Sequence, residues 1–480
     1  MSSMSPTQLQ YHTLEEIDQV HGRLCKTFSA GTTRPLDYRR KQLHQLGRLV
    51  QENLLALEAA INEDLGKPRL EAATELNGLI SGVRYALDNL DEWARPEKVE
   101  VVEDFKRGWD ATVYKVPQGV VLIIGPWNFP YILNFGPLVG AIAAGCAAVL
   151  KPSELAPASS RIMEALCAKY LDPAAYAVVN GGVPETTHLL DLKWDHILFT
   201  GSGRTGCIVA AAAARRATPV TLELGGKSPV VIADDADLDL AAKRVLHGKA
   251  QNSGQLCVSP DHVYVPRAKQ DAFVSALLKH YDTFWPKGPL HEDACWGNII
   301  NPPHHGRLQK LLARTKGEVV RGGEYDGDRR MSPTIVKNVA PDDALMEDEL
   351  FGPLLPLIPV DDVEETIRLI NEQAVPLVIY LFTNSEDVKQ QFLGRTNSGT
   401  LVINDTTSQL AVYELPFGGQ RDSGHGRWHG KYAFNTFTHL RSFVHVPLAA
   451  EPFMEGRYLP YTEDKYKAMA DVINVPLPNP

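Results

Sequence analysis

GVVLIIGPWNFPYILNFGPLVGAIAAGCAAVLKP, residues 119–152, decides the fold. GVVLIIG (119–125) and AAVLKP (147–152) are uninterrupted apolar runs of strand length, and the helix predicted between them covers Leu138–Ala144. Strands that are apolar at every position belong to sheets covered on both faces. The alternation continues with a helix over Ala158–Tyr170 and strands in AYAVVNG (175–181) and HILFTGS (196–202). A helix over Thr205–Arg215 and strands at Val220–Glu223 and VVIA (230–233) follow. Strand and helix in turn predict a parallel α/β sheet. Beyond Asp234 the pattern resumes with helices at Leu238–Gln251, Gln270–Tyr281 and His305–Thr315 and strands at His262–Val265, Pro353–Val360 and Ile379–Phe382. These predict a second α/β domain.

Upstream, residues Leu14–Trp93 are helical in pattern, with apolar residues three and four apart through LGRLVQENLLALEAAINEDLG (46–66). Gly66-Lys67-Pro68 breaks the run, and a second helix spans Leu70–Trp93. VEVVEDF (99–105) and TVYKVP (112–117) read as a hairpin over Val101–Val116, turned at Lys106-Arg107-Gly108. A two-stranded ribbon is marginal alone, so it is expected to pack on another part of the chain or on a second subunit.

The chain has 480 residues, enough for two or three domains; it is 44% hydrophobic and 22% charged, with a formal net charge of −10. That charge disfavours nucleic-acid or anionic-membrane partners. Six scattered cysteines form no CxxC or Cys/His cluster, which predicts no zinc site and fits a reducing compartment. The opening MSSMSPTQLQYHTLEE has no apolar signal core, no run reaches membrane-spanning length, and NVPLPNP carries no lipid anchor. A soluble cytoplasmic protein is expected.

Five places carry candidate chemistry. Cys257 follows Asn252-Ser253-Gly254-Gln255, an unusual turn at the start of a new segment, where free backbone N–H groups can activate a thiol and bind an oxyanion. A buried, inert thiol is the plainer reading, and the other five cysteines keep it. Glu223 ends a strand before Gly225-Gly226-Lys227 and reads as a general base or as a surface carboxylate beside Lys227. Gly201-Ser202-Gly203-Arg204-Thr205-Gly206 is a GxGxxG turn between a strand and a helix, which offers a dinucleotide phosphate site. On that reading Glu223 competes for the role of ribose acid. Lys151 and Glu154, in KPSE at the end of a strand, form a second ribose candidate or a plain turn. Asn128, between Pro126-Trp127 and Phe129-Pro130, can offer its amide to an oxyanion or bond locally. His291, His304 and His305 lack companions at metal-ligand spacing.

Together PWNFP (126–130), KPSE (151–154), FTGSGRTG (199–206), LELGGKSP (222–229), NSGQLC (252–257), ELFGP (349–353) and PFGG (416–419) resemble the aldehyde dehydrogenase superfamily from about Leu46 to Val446. NSGQLC, PWNFP, the short N-terminus and the PYTEDKYKAMA tail look most like its class 3 type, which includes fatty-aldehyde and apocarotenal enzymes. The resemblance implies an α/β fold of two doubly wound parallel-sheet domains with a small β oligomerisation arm. It implies a Rossmann-like dinucleotide-binding domain over 1–98 and 118–224 and a catalytic domain over 225–430. The arm would take 99–117 and 431–450, leaving 451–480 as a tail. Cys257 would be the nucleophile, Glu223 the base, and the Asn128 amide with the Cys257 N–H the oxyanion hole. Lys151 and Glu154 would bind the adenosine ribose. Gly201, Ser202, Gly203 and Gly206 would meet the pyrophosphate, Glu349 and Phe351 would position the nicotinamide ribose and ring, and Trp127 would also contact the cofactor. No metal is implied. The sequence departs from many relatives at Gln420-Arg421-Asp422 after PFGG, near the expected substrate entrance.

The expected function is NAD(P)-dependent oxidation of an aldehyde to an acid through a cysteine thiohemiacetal and thioester. NAD is expected as cofactor, with NADP tolerated, because Glu154 can bond a 2′-hydroxyl and repel a 2′-phosphate. Phe129, Phe417 and Trp127 point to an apolar or aromatic aldehyde; by the resemblance to family dimers, the hairpin with SFVHV (442–446) would form the contact of a homodimer. Three alternatives remain open at this stage: a CoA-acylating relative, a non-catalytic binding protein on this fold, and a cysteine hydrolase using His262 as base.

Overall fold

The computed structural model describes residues 9–103, 106–473 and 477–478, and the chain divides into two compact units. The larger takes Met1–Trp93 with Pro117–Thr438, the smaller Ala94–Val116 with His439–Pro480.

The helical N-terminal region is four helices: Leu14–Ser29, Leu36–Glu52, Leu54–Leu65 and Arg69–Ala94. Thr13 opens the first with a capping box, its hydroxyl accepting from Glu16 N while Glu16 accepts from Thr13 N. The predicted run over 46–66 is interrupted at Asn53, whose side chain donates back to Leu49 O at 2.8 Å and to the Tyr170 hydroxyl at 3.1 Å. Asparagine offers the backbone a competing partner and so ends the helix. Gly66 then closes the third helix in the left-handed region at φ 58°, where an added Cβ would lie 2.5 Å from the Asn298 amide.

A six-stranded sheet follows, in the order Gly424–His425, Val220–Glu223, His196–Thr200, Val120–Ile124, Ala147–Lys151, Tyr176–Val178. Its strands are parallel except the first, where Gly424 pairs antiparallel with Glu223. Val120–Ile124 lies between the strand that follows it in sequence and His196–Thr200, so the order reverses there. Such a switch point opens a crevice at the carboxyl ends of the strands. The helix before Ala147–Lys151 begins at Ile132, earlier than predicted, and includes Pro137.

A seven-stranded sheet repeats the design in the same unit: Glu318–Arg321, Thr334–Lys337, Leu354–Val360, His262–Pro266, Pro229–Ile232, Val378–Phe382, Thr400–Ile403. Only Glu318–Arg321 is antiparallel to its neighbour. Tyr264, Ile358, Leu381 and Phe392 belong to one buried cluster on this sheet.

The smaller unit holds a three-stranded sheet in the order Glu97–Lys98, Asp110–Pro117, Thr438–His445. Two strands do pair antiparallel here, but the first is Glu97–Lys98, ahead of the predicted strand, and residues 99–103 are not in a strand. Glu97 pairs with Val113 and Lys98 with Thr112, and Lys115–Glu97 and Lys98–Asp110 ion pairs cross between the strands. Of the predicted strand 99–105, residues 104 and 105 lie outside the described residues. Among the described residues no helix is long and apolar enough to cross a membrane.

Candidate active site

A cavity of about 660 Å³ opens at the switch point, within the size range of small-molecule sites. The carboxyl ends of Val120–Ile124 and His196–Thr200 bring Trp127, Asn128, Gly201, Ser202 and Gly203 to its wall, and the end of Val220–Glu223 brings Glu223. The segments leading into strands of the seven-stranded sheet supply Cys257, Glu349 and Phe351. Nine of the twelve residues singled out from sequence therefore share one cavity wall.

Cys257 arrives there through a backbone of unusual hand. Asn252, Ser253 and Gly254 all have positive φ, at 48°, 54° and 76°. Glu71 accepts from Asn252 N at 2.7 Å, and Gln255 ties the turn to the next segment by donating to Asn298 O and accepting from Ile300 N, both at 2.9 Å. At Gly254 a Cβ would sit 2.2 Å from Gly352 O, so glycine is required by both conformation and contact. Burial pushes the Cys257 thiol up to about 12, with the charges of Glu349 and Glu223 adding to the shift.

Glu223 is buried, and neither carboxylate oxygen has a hydrogen-bond partner in the structure. Burial raises its pKa well above the ordinary carboxylate range. The surface-carboxylate reading beside Lys227 therefore fails: Lys227 pairs instead with Asp261 at 2.5 Å and donates to Leu345 O and Asp348 O. Glu349 is raised to about 8, first by burial and then by Asp261, and its Oε1 also lacks a partner. Gly225 makes room for it, since a Cβ there would lie 2.2 Å from Glu349 Oε2.

Asn128 is buried and donates one amide N–H to Gln255 O at 3.0 Å. A carboxamide has two such hydrogens, and among the described residues no other hydrogen bond from this amide to a protein atom is seen. The cavity wall beside it is aromatic: Trp127 stands edge-to-face with Phe351 at 5.4 Å and with His304 at 5.6 Å.

Ser202 caps the helix Gly203–Ala214 by accepting from Thr205 N. The first turn of that helix faces the cavity and suits an anion. A Cβ on Gly203 would meet nothing within 4 Å, which leaves open space for a phosphate. Gly206 has a different job: a Cβ there would strike Leu224 at 2.7 Å, so it serves close packing of helix on strand. Lys151 and Glu154 are not on the cavity wall. They stand at the end of the neighbouring strand, with Lys151 Nζ bonded to Pro152 O at 2.6 Å and to Glu154 at 3.3 Å. With Glu349 Oε1 unpartnered and an open helix start, the donors and acceptors present fit a dinucleotide.

The aldehyde dehydrogenase family model matches residues 6–443. The chain belongs to the aldehyde dehydrogenase family. It is 42% identical to mouse aldehyde dehydrogenase family 3 member A2, over 92% of this chain and 91% of that one. It is 40% identical to the rat dimeric NADP-preferring aldehyde dehydrogenase, over 93% and 98%. Among solved structures, a substrate-bound Staphylococcus aureus AldH matches with a TM-score of 0.91 and 35% identity, over 95% of this chain and 99% of that one. This aldehyde dehydrogenase is an NAD(P)-dependent enzyme that oxidises aldehydes.

Sequence reasoning missed several wall residues of the enzyme: Lys227, His304, Arg307 and Gln373; Asp422, flagged near the expected substrate entrance, is on the wall. Lys227 stood inside the quoted motif LELGGKSP. Arg307 carries no local signal; its guanidinium reaches Glu349 O and Leu350 O from the helix Pro302–Arg314. Two aromatic expectations are corrected. Phe417 is buried against Trp428 and Phe129 lies under the Lys67 ammonium, and neither lines the cavity. His262 is buried in a strand against Tyr264 and off the wall, so it cannot serve Cys257 as a hydrolase base. Among the described residues no group of three or more His, Cys, Asp or Glu could hold a metal.

Proposed function

We propose that Cys257, Glu223 and Asn128 carry the oxidation through a covalent thioester. The observation that supports it is their convergence on one cavity with the open start of the Gly203–Ala214 helix. Cys257 Sγ adds to the aldehyde carbon, and the carbonyl oxygen becomes an oxyanion, then a hydroxyl, of a thiohemiacetal. Asn128 and the Cys257 backbone N–H meet that oxyanion, where one donor is worth about 3–4 kcal/mol of barrier. The carbon loses hydride and the hydroxyl its proton, which leaves a thioester. Bound NAD(P) supplies the acceptor for that hydride. Glu223 then takes a proton from water, hydroxide adds to the thioester, and the acid leaves as Cys257 regains its proton.

Burial disfavours the ionised form of both the thiol and the carboxyl. Cys257 must ionise to add to the aldehyde, so kcat/KM is expected to rise with pH above neutrality. Cys257→Ala is expected to abolish NADH formation. Glu223→Gln should retain a single turnover of NADH and stall before acid release, which quenched-flow measurement of the first turnover separates from steady state. Undiminished steady-state rates in either variant would defeat the assignment.

In this reading residues 1–98 and 118–224 bind the dinucleotide and 225–430 carry the nucleophile. Lys151 and Glu154 hold the adenosine ribose, Gly201, Ser202 and Gly203 the pyrophosphate, and Glu349 with Phe351 the nicotinamide ribose and ring. Gly206 acts from behind by packing the helix. Glu154 favours NAD, whereas the rat relative is named as NADP-preferring; the ratio of kcat/KM for the two cofactors decides. The edge-to-face Trp127–Phe351 pair supports an apolar or aromatic aldehyde. A cytoplasmic homodimer is the proposed form, in line with the relative named as dimeric.

A further inference from the structure

We propose that Lys67 and Glu75 are a positioning pair that holds Asn128 in register to receive the oxyanion. This rests on the oxyanion role proposed for Asn128.

Gly66-Lys67-Pro68 reads in sequence as a helix break and nothing more. In the structure the break turns Lys67 inward until its side chain is 0% exposed. Its ammonium donates to Glu75 Oε2 at 3.1 Å and to Asn128 O at 3.1 Å, and it lies 3.8 Å from the centre of the Phe129 ring. Glu75, also 0% exposed, uses its other oxygen to accept from Tyr131 N at 2.9 Å and Ile132 N at 3.2 Å. The pair thus grips the PWNFP turn at Asn128 and again at the start of the next helix. From the opposite side Asn252, in the nucleophile turn, donates to the same Asn128 O at 3.0 Å.

Neither Lys67 nor Glu75 lines the cavity, so neither touches substrate. A buried ion pair is a poor means of stabilising a helix contact, because desolvation offsets the attraction and apolar residues of similar volume do as well. Its distinctive effect here is on geometry. With the Asn128 main chain fixed by two donors and one amide N–H fixed on Gln255 O, the direction of the remaining N–H is determined. Catalytic donors tolerate displacements of only a fraction of an ångström.

The test is a cycle between Lys67→Met/Glu75→Gln and Asn128→Ala. Glutamine at 75 still offers an oxygen to Tyr131 N and Ile132 N; Asn128 O loses its ammonium donor, the Phe129 ring its cation, and the Glu71 carboxylate, which accepts from Asn252 N, a neighbouring positive charge. At saturating NAD, kcat/KM for the aldehyde is expected to fall about ten- to a hundred-fold, below the full loss of an oxyanion donor. The KM for NAD should change by less than about two-fold, since the cofactor residues stand elsewhere. In the Asn128→Ala background the same pair should cost less than about two-fold, because the group it positions is gone. Near-ultraviolet circular dichroism identifies a folded variant, and Lys67→Gln/Glu75→Gln, polar and neutral, repeats the cycle if the first pair does not fold. An unchanged kcat/KM in a folded variant, or an equal loss in both backgrounds, overturns the inference. Full activity of Asn128→Ala alone would instead remove the oxyanion role itself, so the two failures are read apart.

Discussion

Glu349 shows how a single buried carboxyl ties stability to pH. Its pKa is raised to about 8 in the folded protein and returns to the ordinary carboxylate range on unfolding. Between those values the folded state holds more protons than the unfolded one, so stability falls as pH rises through that window. At about 1.4 kcal/mol per unit, the effect amounts to a few kcal/mol. Glu349→Gln carries no charge to bury. Its Tm is expected to exceed that of the parent at pH 9 and to match it near pH 5, while its KM for NAD(P) rises. Differential scanning calorimetry at the two pH values checks the first statement, and a Tm gap that does not depend on pH would contradict it.

The elements were legible in proportion to how locally their residues declare them. Val120–Ile124, Ala147–Lys151 and His196–Thr200 are apolar throughout and could be read directly, because both faces of a parallel strand are covered. Thr334–Lys337 and Thr400–Ile403 were not read; each is four residues long, and their pairing depends on partners distant in sequence. The two-residue strand Gly424–His425 has no sequence pattern at all. In the site, Cys257 and Glu223 were legible because turns and motifs mark them. Lys67, Arg307 and Lys227 act through main-chain carbonyls of other segments, and such partners leave no mark in the local sequence. The GGK turn allows a test at this scale. Gly225→Ala places a methyl against the Glu349 carboxylate, so the KM for NAD should rise about ten-fold or more, the size of one lost charge-assisted hydrogen bond. Alkylation of Cys257 by iodoacetamide without cofactor should proceed at the parental rate; slowed alkylation would mean that the whole turn had shifted.

For the whole molecule, the smaller unit presents the strand Thr438–His445 at the edge of its sheet, with Leu440, Phe443 and Val444 exposed. A long exposed edge with apolar side chains invites pairing with another chain. If the proposed homodimer uses this edge, Val444→Glu should yield a monomer in light scattering, and a dimer of unchanged stability would place the contact elsewhere.

The left-handed run from Asn252 to Gly254 has a consequence for anyone who wishes to redesign the enzyme. Gly254 lies against the carbonyl of Gly352, one residue beyond Phe351, so the turn before Cys257 and the loop that carries Glu349 and Phe351 meet main chain against main chain. If Glu349 and Phe351 hold the cofactor and Cys257 is the nucleophile, as proposed, substitutions that retune cofactor choice will also move the nucleophile, and selections for new coenzyme use should return compensating changes between residues 252 and 256.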